Sequence, residues 1–397
     1  MMNYKLVTYK MKRIAFIFFW LTCLSCGQSN EGFSGYNFAK PEAPKVVKKA
    51  PAKYKVQAQR LDSLFTQMST FNNFNGSVIV SKDGEVVYQK AFGYADKKNK
   101  VPLTDTTMFQ LASVSKVITA TSVMMLYEKG LIKLEDPYVK YFPEFPYPEV
   151  TVKQMLCHRS GLPNYLYFLN DIVCSQTKTL RNADVLRLMV ERHPDIYQKP
   201  NKKFNYSNTN YALLALLVEK MSGKTFSNFI REEIFMPLGM NHSGTILSMD
   251  IFEKAISKPY DGRWKTIDPE AADYVVGDKS IYSTPYDLFL FSEALFQQKL
   301  LNAETQELAY TAFSKDKVMT NYGLGWRMRD YKDPSKKEIY HNGWWHGYRT
   351  SFHRRLNDKV TIVVLSNQLN RTAYQTYKIY QAIDSKSVNL GAESDED

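Results

Sequence analysis

Strand-type patterning sits at the two ends of this chain, with helix-type patterning between, and that separation restricts the fold more than any other feature. Near the start, Gly76-Ser77-Val78-Ile79-Val80 and Glu85-Val86-Val87-Tyr88 flank Lys82-Asp83-Gly84, whose Asp-Gly pair is a hairpin signal. Strand character then returns only at Tyr322–Trp326, Glu338–Tyr340, Arg349–Arg354 and Val360–Leu365. Between them the spacing predicts helices at Val152–Cys157, Ala183–His193, Asn210–Met221 and Phe226–Phe235, punctuated by Gly and Pro. An amphipathic helix over Val56–Phe71 precedes the first strands; others follow Pro285 and span Thr372–Ile383. One antiparallel sheet split in sequence, flanked by helices and interrupted by an inserted all-α part, accounts for this order, an α+β fold.

The first strands lead into Phe109-Gln110-Leu111-Ala112-Ser113-Val114-Ser115-Lys116, followed by a helix ending at Gly130. Three residues apart, Ser113 and Lys116 share a helix face. A serine hydroxyl attacks only when a base takes its proton, and a lysine serves as that base only where its surroundings keep it neutral. The Ser113 backbone N–H lies near the positive end of the helix dipole, where an oxyanion is stabilised. Ser-x-x-Lys alone is a weak pattern. It occurs three times, and the copies at Ser175–Lys178 and Ser314–Lys317 read as solvated surface.

Two further stretches carry usable chemistry. In Tyr206-Ser207-Asn208, just before a helix, the bland reading is a cap at Asn208 or Thr209. The chemical reading has the Tyr206 phenol relay a proton and the Asn208 amide hydrogen-bond a substrate carbonyl. In His341-Asn342-Gly343-Trp344-Trp345-His346-Gly347, small residues beside a strand admit a ligand to the backbone, and His341 is placed to bond an acyl group or the Tyr206 oxygen. His158, His193, His242 and His353 read as structural. There is no His-Glu-x-x-His pattern, so no metal is expected, and no Gly-x-Ser-x-Gly elbow.

The formal charge of +12 does not indicate nucleic acid, because much of it lies before the folded body. Residues 1–55 hold ten Lys and Arg against two acids. Met11-Lys12-Arg13 followed by the apolar run Ile14–Leu24 reads as an export signal, too short for a membrane span. Leu24-Ser25-Cys26-Gly27 resembles a lipoprotein signal with Cys26 acylated, and Met11 is an alternative initiator to Met1. Residues 1–26 are thus assigned to the signal, 27–55 to a flexible tether, 56–385 to the folded domain and 386–397 to an acidic tail. Within the domain, 56–112 and 276–385 form the sheet-bearing part and 113–275 the helical part. Cys157 reads as a small core residue, with a bridge to Cys174 open in an oxidising compartment.

Taken together, Ser113-x-x-Lys116, Tyr206-x-Asn208 and His341-x-Gly343 resemble the serine β-lactamase and penicillin-recognising hydrolases, in particular the class C-like branch with D-amino-acid peptidases and esterases. Leu156–Pro163, Pro237–Met240, Gly277–Thr284 and Val363–Asn367 support the match, which covers about residues 70–370. The resemblance implies an antiparallel sheet flanked by helices plus an all-α domain, with the site in the cleft between. It implies Ser113 as acylated nucleophile, Lys116 as its deprotonating partner and Tyr206 as general base and acid. Asn208 would orient the substrate, and the backbone N–H groups of Ser113 and Trp344 would form the oxyanion hole. Histidine at 341, where most β-lactamases of this family carry lysine, departs from the pattern and offers less charge to a substrate carboxylate. Trp344 and Trp345 beside the mouth would favour apolar or aromatic acyl groups, with packing an equal explanation for two tryptophans. The expected protein is an exported, cofactor-free serine hydrolase acting on an ester or a D-amino-acid amide in a small molecule or short peptide, associated with a membrane through Cys26. Non-catalytic binding of cell-wall peptide on the same fold and a true β-lactamase are the alternatives.

Overall fold

The computed structural model describes residues 50–168, 179–251, 255–314, 320–329 and 336–384. Signal, Cys26, Cys174 and acidic tail therefore lie outside the described residues. The described residues begin inside the stretch assigned to the tether. A single 3-10 turn, Ala52–Tyr54, precedes helix α1 (Lys55–Phe71), because Tyr54 is apolar enough to be buried and its hydroxyl donates to Asp83 Oδ2 at 3.0 Å.

Strands β1 (Gly76–Lys82) and β2 (Glu85–Phe92) form the expected hairpin. Its two turn residues, Asp83 and Gly84, both have positive φ, the tight geometry that Asp-Gly favours. Helix α2 (Ser115–Glu128) follows, then α3 (Val152–Leu156), α4 (Asn182–Arg192), α5 (Asn208–Ser222) and α6 (Pro285–Phe296). The chain returns to the sheet through β3 (Thr320–Tyr322), β4 (Arg327–Arg329), β5 (Glu338–Trp345), β6 (Tyr348–Arg355) and β7 (Val360–Ser366), and α7 (Thr376–Asp384) ends the described chain.

These strands make one seven-stranded antiparallel sheet, in the order β2-β1-β7-β6-β5-β4-β3. The first hairpin joins the late strands by pairing β1 with β7, Val78 opposite Val364. Central β7 is buried along its whole length, which is why it reads as a continuous apolar run. One face packs on α1 and α7 through Leu61, Phe65, Met68, Val78, Val80, Ile362, Val364 and Ile379. Burying the Phe65 ring, stacked 5.8 Å from Tyr88, contributes about 1.5–3 kcal/mol. The opposite face packs on α6, where Ser292 and Thr361 share a hydrogen bond of 2.7 Å.

Three details differ from the sequence reading. Tyr322–Trp326 is not one strand but the end of β3 and a turn into β4, because that segment folds against the helices. A Cβ on Gly325 would lie 2.2 Å from Ala120 Cβ on α2, and one on Gly323 2.3 Å from the Ala309 carbonyl. The helix expected over Phe226–Phe235 becomes a π turn after Ile230. The helical part also contains a short strand, Gly244–Thr245, which pairs with Ile281–Ser283; that strand pairs in turn with Phe109–Gln110. Two-residue strands have too few positions to show a period.

Candidate active site

The small sheet delivers the serine. Phe109–Gln110 pairs with Ile281–Ser283, the Leu111 N–H donates to the Ile281 carbonyl at 2.8 Å, and the Thr350 hydroxyl donates to the Leu111 carbonyl at 2.7 Å. Ala112 then takes φ +49°, a left-handed conformation costing roughly 1–2 kcal/mol for a residue with a side chain. That bend turns the chain into a 3-10 turn, Ala112–Val114, and so into α2. Ser113 is half-buried in the turn, and Lys116, one turn on, is fully buried.

Lys116 Nζ contacts three oxygens: Ser113 Oγ at 3.2 Å, Asn208 Oδ1 at 2.8 Å and the Asp278 main-chain carbonyl at 2.7 Å. The two carbonyl oxygens can only accept. With two N–H bonds committed to them, the remaining valence of the amine is directed at the serine hydroxyl. From the other side the Tyr206 hydroxyl donates to Ser113 Oγ at 2.9 Å. Lys116 and Tyr206 thus meet on the Ser113 oxygen and Asn208 joins them through Lys116, with Tyr206 and Asn208 half-buried like the serine.

The capping reading of Tyr206-Ser207-Asn208 does not hold. The N-cap of α5 is Ser207, which makes no side-chain cap bond, while its hydroxyl and that of Thr209 donate to the Pro163 carbonyl at 3.2 and 2.6 Å. Asn208, first residue of the helix, spends its carbonyl on Lys116.

Tyr206 is held from behind by His158, whose ring centroid lies 4.2 Å away. The Ser207 N–H and the Asn210 amide donate to His158 Nδ1 at 3.2 and 3.1 Å, so the ring proton sits on Nε2. Burial pushes this imidazole well below its usual pKa, helped by the nearby Lys116 charge. Sequence reasoning classed His158 as structural and missed this support. Its signal was the stretch Leu156–Pro163, which the resemblance marks.

His341 lies elsewhere than expected. It neither bonds the Tyr206 oxygen nor opens to a ligand: the ring is buried, Nδ1–H donates to the Asn342 carbonyl at 2.7 Å, and Nε2 accepts from the Tyr322 hydroxyl at 3.0 Å. Burial, followed by the Arg327 and Lys116 charges, holds its pKa well below the usual histidine value. The ring is therefore neutral, with both nitrogens engaged. The assignment of His341 to substrate binding is corrected: its ring positions Tyr322 in the wall. On that wall the Arg327 guanidinium, half-buried, stands 5.7 Å from the Tyr206 ring centroid. Neither Tyr322 nor Arg327 was singled out from sequence: Tyr322 opens the stretch read as one strand, and Arg327 follows directly after it.

Gly343 is required for another reason than ligand access. A Cβ there would sit 2.2 Å from Thr350 Oγ1, 2.5 Å from the Leu111 carbonyl and 3.1 Å from Ala112 Cβ. β5 therefore runs directly against the turn that carries Ser113. The two tryptophans part company. Trp344, paired with Arg349, is 68% exposed over that arginine, whereas Trp345 donates from Nε1 to Asp273 Oδ1 at 2.6 Å and is not a free lip of the mouth.

The remaining candidates are structural. Cys157 is a buried free thiol that burial pushes up to about 12, and Ser314, expected at the surface, is buried beside it. His353 pairs with Glu338 inside the sheet.

The family model described as beta-lactamase matches residues 61–385. A penicillin-binding protein of Bacillus subtilis is 34% identical over 335 residues, 80% of this chain and 73% of that protein. A teichoic acid D-alanine hydrolase of Staphylococcus aureus is 26% identical over 343 residues, 85% of this chain and 82% of that protein. Among solved structures, a class C beta-lactamase shares the fold with a TM-score of 0.71 at 21% identity, covering 86% of this chain and all of that one. With the family match spanning most of the chain and the sheet and helices arranged as in that structure, this protein belongs to the beta-lactamase family of serine hydrolases.

Proposed function

We propose that the protein hydrolyses an ester or amide through an acyl-Ser113 intermediate, with D-amino-acid acyl groups and small esters preferred to β-lactams. The observation that carries this is the convergence of Lys116 Nζ and the Tyr206 hydroxyl on Ser113 Oγ, at 3.2 and 2.9 Å. In the forward step Ser113 Oγ attacks the scissile carbonyl while its proton passes into the Lys116–Tyr206 pair. The oxyanion rests on the backbone N–H groups of Ser113 and Trp344. Collapse expels the alcohol or amine, which takes the proton back from Tyr206, and water then releases the acid by the same route. Asn208, its carbonyl bound to Lys116, keeps its Nδ2 donors for the substrate.

Support for the substrate class comes from two sides. His341 contributes no charge at the strand position where a lysine would meet a β-lactam carboxylate, and the Staphylococcus aureus relative is named for hydrolysis of D-alanine from teichoic acid. A second reading, cleavage next to a free carboxylate, is favoured by Arg327 beside Tyr206. Turnover of nitrocefin, p-nitrophenyl butyrate and D-Ala-p-nitroanilide by one preparation separates these readings. Intact-mass spectrometry after a fluorophosphonate tests the chemistry. One adduct on the wild type and none on Ser113→Ala is expected; an adduct that survives the substitution overturns the proposal, and peptide binding without acylation identifies a binding protein.

The proposal extends to export and lipid anchoring at Cys26. No helix among the described residues is long and apolar enough to cross a membrane. Fractionation of Cys26→Ala should move the protein from the membrane to the soluble fraction; unchanged membrane association rules out that anchor.

A further inference from the structure

Behind Lys116 lies a buried polar cluster that the acylation chemistry does not use. Asp278, whose main-chain carbonyl accepts from Lys116 Nζ, has its side chain sealed from solvent. Two donors converge on its Oδ2: the Tyr165 hydroxyl at 3.1 Å and Lys279 Nζ at 3.1 Å. Lys279 also donates to the Tyr165 oxygen, closing a three-membered ring of contacts, and its ammonium stands 4.7 Å from the centroid of the Trp345 ring. All three side chains are almost completely buried, so the ion pair is fully desolvated.

The backbone here does not adopt its shape by default. Gly277 has φ +95° and Ser280, a residue with a side chain, φ +66°. A Cβ on Gly277 would lie 2.6 Å from Ala215 Cβ, so the loop is wedged between α2 and α5. On the α2 side Thr119 Oγ1 donates to the Gly277 carbonyl at 2.7 Å, and the Ile281 N–H donates to Ser115 Oγ at 3.3 Å. Backbone in sparsely populated conformations persists only where its surroundings over-determine it. The side chains of Asp278, Lys279 and Tyr165 are placed to do that from the far side.

We propose that Asp278, Lys279 and Tyr165 form a buried clamp that holds the Asp278 carbonyl on Lys116 Nζ, so that Lys279 and Tyr165 are positioning residues for acyl transfer. The clamp rests on the acyl-Ser113 reading and deepens it. Lys116 has one flexible side chain and three oxygens to satisfy; releasing the Asp278 carbonyl frees the amine to turn away from Ser113 Oγ. Neither Lys279 nor Tyr165 touches Ser113, so their loss acts on the rate of the chemical step and leaves substrate binding alone.

Two variants test this. Tyr165→Phe removes one hydroxyl and no packing volume. Asp278→Ala/Lys279→Met removes both charges together, leaving neither buried and unpaired. Each is titrated for active sites with a fluorophosphonate, and kcat and KM are measured on p-nitrophenyl butyrate. The clamp predicts kcat per titrated site lower by about 10- to 100-fold, with KM within about threefold, as a small misplacement of a catalytic group costs. A merely structural role lowers the melting temperature and the number of titratable sites but leaves kcat per site at the wild-type value, which overturns the proposal. If the double variant does not fold, Tyr165→Phe decides alone. Failure of the wild type itself to be acylated removes the acyl-Ser113 reading instead, a separate result.

Discussion

Replacing Gly343 by alanine tests how closely β5 and the serine turn are fitted. The added methyl would start 2.2 Å from Thr350 Oγ1, 2.5 Å from the Leu111 carbonyl and 3.1 Å from Ala112 Cβ. The threonine hydroxyl can rotate away, at the loss of its bond to the Leu111 carbonyl. The carbonyl cannot rotate, because its own residue is bonded through N–H to Ile281. Ordinary contact between carbon and oxygen needs a little over 3 Å, so the Leu111–Ala112 backbone must retreat by about 0.7 Å, at about 1–3 kcal/mol for overpacking. Ser113 follows directly and moves with it, away from Lys116 and Tyr206. A displacement approaching 1 Å at the nucleophile corresponds to about 100-fold in rate. The assay is kcat on p-nitrophenyl butyrate per fluorophosphonate-titrated site, beside a thermal melt. Trp344→Ala, which removes an exposed ring one residue on and keeps its backbone N–H, serves as the control and should melt like the wild type. A Gly343→Ala enzyme with wild-type melting and wild-type kcat would refute the fitted-turn argument.

Other predictions follow from the same geometry. Tyr206→Phe and Lys116→Ala should each lower kcat by about 10²–10⁴-fold, the range for loss of a positioned proton carrier; steady-state kinetics with unchanged circular dichroism checks this. His158 and His341 are held neutral in the fold with pKa values well below the usual 6.5, so the unfolded chain binds more protons below that pH. Stability from each is complete above about pH 6.5 and is lost as pH falls toward the folded value, by up to about 1.4 kcal/mol per pH unit and per histidine. Urea titrations between pH 7 and 5 should show this slope, and His158→Gln should reduce it by one proton. Cys157, buried with its thiol pushed up to about 12, should resist alkylation in the native state and react only on unfolding; peptide mass spectrometry reads the difference.

What the sequence made legible is what repeats or what chemistry singles out. The Asp83-Gly84 hairpin, the continuous apolar run of β7 and the helical middle have periods long enough to read. Ser113, Lys116, Tyr206 and Asn208 were found through three individually weak motifs that together stand in the order and spacing of the family they resemble, and the structure brings all four together. Less legible was anything decided by burial across distant segments. Nothing local to His341 says that Tyr322, nineteen residues earlier, takes its Nε2, nor that the ring is sealed from solvent. The glycine at 343 was visible, but its reason, the Leu111–Ala112 turn more than 200 residues away in sequence, was not. The Asp278–Lys279 pair lay in Gly277–Thr284, a stretch that supported the resemblance, but nothing local to it says that Tyr165 and Lys116 are placed around it.

The central claim is that Ser113 Oγ becomes covalently acylated during turnover. Rapid acid quench of the wild type with p-nitrophenyl butyrate, followed by mass spectrometry of the digested chain, tests it most directly. The account predicts a butyryl group on the peptide containing Ser113, formed at the rate of the p-nitrophenol burst and absent from Ser113→Ala. Turnover at the same rate with Ser113 unmodified, or with the acyl group on another residue, would contradict it.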